Sequence, residues 1–218
     1  MKLWLASSNL DSIERLTGSA LFAGVVTNPN VVAEAGLPVA TFLRQVITRG
    51  SGLIFYQVRG SGSAEMIAEA ERTLALAPER IAIKVPATIE GLRAIAILRK
   101  RNAVVAATCL PTPALAVLAE AAGANYIIPW GSMLATRGIG DRESLLAEMC
   151  EILTRQKSQC EMIVGAYSSA DLLRLARLGV TNAFIWEKDV DKILRQPMAQ
   201  EAIDSFEKAW KSIDACGG

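Results

Sequence analysis

Apolar residues along this chain follow two rhythms that alternate from end to end. Short runs with strand character are predicted near residues 2–6, 22–26, 53–58, 81–85, 103–108, 125–129, 161–165 and 182–186. Between them the spacing becomes helical. Ile67, Ala70 and Leu74 share one face, with Glu65, Glu69 and Arg72 opposite. Ile89, Leu92, Ile95 and Ala96 repeat the pattern, with Glu90, Arg93 and Lys100 opposite. Turn residues mark the passages from strand to helix: Thr27-Asn28-Pro29, Arg59-Gly60-Ser61-Gly62-Ser63, Pro86-Ala87-Thr88, Pro111-Thr112-Pro113 and Tyr167-Ser168-Ser169.

Eight βα units in 218 residues, with no linker or low-complexity tract, predict a single α/β domain. The expected architecture is a closed parallel (β/α)8 TIM barrel over residues 1–197. An open doubly wound sheet is the alternative. Its dinucleotide fingerprint is only half present in Gly60-Ser61-Gly62-Ser63, which reads as an ordinary βα turn. After the eighth strand, residues 198–218 form an extra C-terminal helix and tail. Ile203, Phe206, Trp210 and Ile213 make one apolar stripe there, on a helix of about 16 residues. Such a stripe packs on its own barrel or on a neighbouring subunit.

The composition narrows the chemistry. The chain is 51% hydrophobic with formal net charge +1, so neither a nucleic-acid groove nor an acidic partner is expected. No apolar run approaches the roughly 18 to 20 residues of a membrane helix, and the first residues lack a signal-peptide core. A cytoplasmic protein is expected. The four cysteines show no metal-ligand spacing and read as reduced thiols. There is no histidine, which excludes Ser-His and Cys-His nucleophiles, HExxH zinc sites and imidazole acid/base catalysis. Proton transfer is left to carboxylates, Lys, Tyr or water.

Against that background Lys84 stands out, alone in the run Ile81-Ala82-Ile83-Lys84-Val85-Pro86. Strand alternation puts it on one face with Ala82, while Ile81, Ile83 and Val85 take the other. A desolvated lysine is pushed towards the neutral amine, which condenses with carbonyls. The plainer alternative is a rim lysine whose stem lines the sheet while its head reaches water.

In a barrel, strand C-termini and the loops after them converge on one face. That places Ala6, Ser7, Thr27, Asn28, Gln57, Arg59, Thr108, Trp130, Ser132, Ala166, Tyr167 and Ser168 around Lys84. Amide and hydroxyl groups around one amine suit a polyhydroxylated carbonyl compound. Metal or hydride chemistry would need other residues.

Two blocks now carry a resemblance. Gly24-Val25-Val26-Thr27-Asn28-Pro29 is similar to the transaldolase-family block of the form GVTTNPS, and Ile83-Lys84-Val85-Pro86-Ala87-Thr88-Ile89-Glu90-Gly91-Leu92 resembles that family's Schiff-base block. The stretch Gly123–Pro129 and the C-terminal helix extend the likeness over nearly the whole chain. Its length and Phe55-Tyr56-Gln57-Val58 most resemble the small fructose-6-phosphate aldolase branch. The resemblance implies a (β/α)8 barrel, a Lys84 imine with a ketose such as fructose 6-phosphate, dihydroxyacetone as donor, and no cofactor or metal. It further implies Gln57 and Thr108 holding a catalytic water, and Thr27, Asn28, Trp130, Ser132, Ser168 and Arg59 contacting a sugar or sugar phosphate. Ring-like homo-oligomers, a pentamer or decamer, with the terminal helix reaching a neighbour, are part of the same implication.

The chain also departs from the family pattern. The aspartate that usually ends the first strand is Ala6, and the tyrosine after strand six is Trp130. Indole donates one hydrogen bond and shuttles no proton. The phosphate arginine reads as Met133, and the serine and basic residue after strand seven as Ala166 and Ser168. Arg59, Arg137 or helix N-termini would then have to hold a phosphate, with Arg137 and Arg142 otherwise solvated loop charges. The expected activity is a class I aldolase or transaldolase. The alternatives are a barrel shifted to a less charged carbonyl compound and a non-catalytic one.

Overall fold

Strands and helices alternate as the periodicity predicts, and the sheet closes on itself. The computed structural model of the protein describes residues 1–130 and 140–216. Its strands are β1 (Lys2–Ala6), β2 (Phe22–Val26), β3 (Leu53–Gln57), β4 (Ile81–Pro86), β5 (Val105–Leu110), β6 (Tyr126–Pro129), β7 (Glu161–Ala166) and β8 (Asn182–Trp186). Each pairs in parallel with the next, and β8 pairs with β1 from Lys2↔Asn182 to Ala6↔Trp186, so no sheet edge is left open. The molecule is a (β/α)8 TIM barrel, and the open-sheet alternative is excluded by that closure.

The helices among the described residues are α1 (Leu10–Gly18), α2 (Pro29–Glu34), α3 (Val39–Arg49), α4 (Ser63–Leu74), α5 (Ile89–Lys100), α6 (Pro113–Ala121), α7 (Arg142–Arg155), α8 (Ser169–Arg177), α9 (Glu187–Leu194) and α10 (Pro197–Cys216). The turn residues seen in the sequence start several of them. Asn28 Oδ1 accepts from Val31 N at 3.0 Å to cap α2, and Thr88 Oγ1 accepts from Gly91 N at 3.0 Å to cap α5. Gly91 is needed there for space, because a Cβ would lie 1.8 Å from the Pro86 carbonyl oxygen. That close approach sets α5 directly behind the end of the Lys84 strand.

Alternation along β4 divides the core into two layers. Ile81, Ile83 and Val85 are fully buried against the helices, in one cluster with Ala94, Ile95 and Leu98. Ala82 joins Trp4, Val26, Phe55, Ala106, Ile128 and Ile163 inside the barrel. Trp4 and Phe55 meet edge to face at 5.0 Å, and Phe55 meets Tyr126 at 5.2 Å, which plugs the lumen below the site. The plug is tied by Trp4 Nε1 donating to Asn182 Oδ1 at 3.1 Å. Lys84 continues the Ala82 face, one layer nearer the strand C-termini.

The terminal helix α10 runs 20 residues, longer than the stripe alone suggests. Its apolar residues do not pack on their own barrel: Phe206 and Trp210 are each 64% exposed, and Ile203 and Ile213 are exposed as well. Among the described residues, no helix is long and apolar enough to cross a membrane.

Candidate active site

The C-terminal mouth of the barrel opens into a cavity of about 400 Å³, and Lys84 lies in its wall. The side chain is only 3% exposed, so the rim-lysine alternative does not hold. Nζ donates to the main-chain carbonyl of Thr27 at 2.6 Å. Burial lowers its pKa to about 8, against an opposing electrostatic pull from Cys109. Near neutrality the amine is thus mostly cationic, with a reactive neutral fraction of about one in ten, far above that of a solvated lysine.

Gln57 and Thr108 flank Lys84 on the neighbouring strands and line the same cavity, as do Asn28 and Trp130. Ala6 is there too, its methyl standing where a carboxylate would reach the cavity. Cys109 is an addition that periodicity did not reveal. It has φ +60°, and the β5–β6 register shifts between Thr108 and Leu110. That bulge turns two consecutive residues, Thr108 and Cys109, to the cavity wall. Burial raises the Cys109 thiol pKa, while the Thr108 hydrogen bond and Lys84 oppose the rise.

Other expected residues sit elsewhere. The Thr27 hydroxyl is buried and donates to Phe55 O at 2.8 Å, so Thr27 meets Lys84 through its carbonyl and not its side chain. Ser168 caps α8, accepting from Asp171 N at 3.1 Å, and does not line the cavity. Arg59 lines a second cavity of about 370 Å³ that shares Asn28, Pro29 and Gln57 with the first. Its Nε donates to Glu69 Oε1 at 2.8 Å, which anchors it away from Lys84's cavity. Ser7 donates to Glu187 Oε2 at 2.5 Å behind the strand. Ser132, Met133 and Arg137 lie outside the described residues.

Arg142 corrects the sequence reading most. Expected as a solvated loop charge, it is the first residue of α7 and lines the cavity. Nη1 donates to Asp171 Oδ1 at 2.7 Å and Nη2 to the Gly165 carbonyl at 2.7 Å. The guanidinium carbon lies 5.6 Å from the Tyr167 ring centroid. Phe184 and Trp186 of β8 complete an aromatic wall. Their period-2 spacing was the available signal; nothing local announced the pairing of Arg142 with Asp171.

A desolvated amine, amide and hydroxyl groups beside it, and an aromatic rim are equipment for forming an imine and handling a carbonyl compound. Residues 3–174 match the family described as "Transaldolase/Fructose-6-phosphate aldolase". A protein of Oceanobacillus iheyensis described as "Probable transaldolase" is 30% identical over 213 residues, spanning 97% of this chain and 99% of that protein. Proteins with the same description from Clostridioides difficile and Syntrophobacter fumaroxidans are 27% and 28% identical, each over at least 97% of both chains. The chain is an enzyme of the transaldolase/fructose-6-phosphate aldolase family.

Proposed function

We propose that this protein is a class I aldolase or transaldolase that makes or breaks the C–C bond next to a ketose carbonyl through an imine on Lys84. The observation that carries this reading is the buried Lys84 amine, its pKa drawn down to about 8 at the wall of a sugar-sized cavity. Condensation expels water and leaves an iminium that accepts the electron pair of the breaking bond. Dihydroxyacetone is the donor fragment, and fructose 6-phosphate is the first ketose to try. Gln57 and Thr108 hold a water beside the imine, and Asn28 and Trp130 contact the sugar. A cytoplasmic homo-oligomer belongs to the same reading, and the exposed aromatic stripe of α10 supports a partner subunit.

A second reading has one specific observation in its favour. Among the described residues, the cations lining the cavity are Lys84 and Arg142, and Asp171 compensates Arg142. That wall suits a carbonyl compound with little charge at its far end.

The test is reductive trapping. Incubation with dihydroxyacetone or fructose 6-phosphate followed by borohydride should leave a permanent adduct on Lys84, located by peptide mass. Absence of an adduct with either sugar would refute the imine. Comparison of fructose with fructose 6-phosphate then separates the two readings.

A further inference from the structure

Among the described residues the cavity wall carries no carboxylate, and Ala6 and Trp130 offer no group there that could shuttle a proton. The described residues nevertheless bring one phenol to it from another strand. Gly165 of β7 lies on the lumen face, two residues beyond buried Ile163. A Cβ built on Gly165 would lie 3.1 Å from Tyr167 Oη and 2.8 Å from Phe184 Cζ. The Tyr167 hydroxyl therefore reaches back over Gly165 into the space that any larger residue would fill. Three contacts, from two residues, hold it there. Asp171 Oδ2 accepts from Tyr167 N at 3.1 Å, Arg142 stands over the ring, and Arg142 Nη2 binds the Gly165 carbonyl. Tyr126, the other tyrosine near the lumen axis, is packed against Trp4 and Phe55 in the plug below.

We propose that Tyr167 is the general acid/base of the Lys84 reaction, with Arg142 and Asp171 as its positioning residues. This rests on the imine reading above. One proton makes a closed circuit. Once the donor ketone has condensed with Lys84, the Tyr167 phenol gives its proton to solvent water beside the iminium cation, and the phenolate so formed removes a proton from the carbon next to the iminium. That C–H electron pair becomes the enamine double bond, and the iminium π pair moves onto nitrogen. The enamine carbon then attacks the acceptor aldehyde, forming the C–C bond and regenerating the iminium. The aldehyde oxygen takes the C=O electron pair and the Tyr167 proton, which restores the phenolate. Cleavage is the reverse, and no oxidant or further reactant is needed.

The experiment separates imine formation from proton transfer. Deuterium exchange into dihydroxyacetone in D2O requires both, whereas borohydride trapping on Lys84 requires the imine alone. Tyr167→Phe should keep the adduct and lose exchange by about 10²-fold, the lower end of what a placed acid/base contributes. Gly165→Ala, which displaces the hydroxyl with the phenol intact, should show the same split. Tyr126→Phe should exchange as the wild type does. Exchange in Tyr167→Phe within about threefold of wild type, with the adduct present, overturns the assignment. A wild-type protein that forms no adduct overturns the imine and this role together.

Discussion

Lys84 Nζ is bound to the main-chain carbonyl of Thr27, 2.6 Å away, across the lumen side of β2 and β4. The bond gives the buried amine its one protein acceptor among the described residues. It also ties the Thr27-Asn28-Pro29 turn to β4, so the two sequence blocks meet inside the barrel. A carbonyl accepts a hydrogen bond from either the amine or the ammonium, so the contact survives deprotonation.

Burial without a carboxylate partner makes Lys84 a cost to the fold. Lys84→Met should abolish the adduct yet raise stability at neutral pH by about 1–3 kcal/mol, read as an increase in Tm. The gain should depend on pH. The folded pKa lies near 8, below the ordinary 10.5. Between those values the unfolded chain holds the proton that the folded chain has released, so wild-type stability rises with pH. The advantage of Met should therefore be full below pH ~8 and fade towards pH ~10.5. A gain that does not fade across this window would refute the depressed pKa.

The same amine sets the pH dependence of condensation. Initial trapping with dihydroxyacetone, followed by mass spectrometry under cyanoborohydride, should rise from pH ~6 and level off above pH ~8 as the neutral fraction saturates. A rise continuing to pH ~10 would mean an ordinary solvated lysine.

Arg142 and Asp171 are mutually dependent. Their side chains are 18% and 10% exposed, so removal of one strands the other's charge. Arg142→Gln and Asp171→Asn should each lower stability by about 2–4 kcal/mol in denaturant titrations, and the double variant should lose less than the sum. Additive losses would show that the two charges do not act on one another.

The homo-oligomer proposed above would bury the exposed α10 stripe. Phe206→Glu with Trp210→Glu should lower the subunit number measured by light scattering, since each aromatic contributes about 1.5–3 kcal/mol when buried. The Lys84 adduct reports whether the barrel itself stays folded. An unchanged mass would show that this face is free in the assembly.

Much of the barrel was legible because its signals are local. Period-2 runs bounded by Pro, Gly and Asn turns marked eight strands within a residue or two, and parity put Lys84 on the Ala82 face, whose burial only the barrel decided. Lys84 and its flanks also pointed to the chemistry proposed here, since few residue types act without histidine. Other features depended on distance. Arg142 and Asp171 are 29 residues apart and meet only because the chain runs back through β7 to the same end of the barrel. The left-handed turn at Cys109 arises from a register shift against β6, and the Tyr167 hydroxyl owes its place to the gap above Gly165. Periodicity states which face of an element a residue occupies; it carries no term for what the next element brings to that face, and that is where the position of the Tyr167 hydroxyl and the charge balance of this cavity were decided.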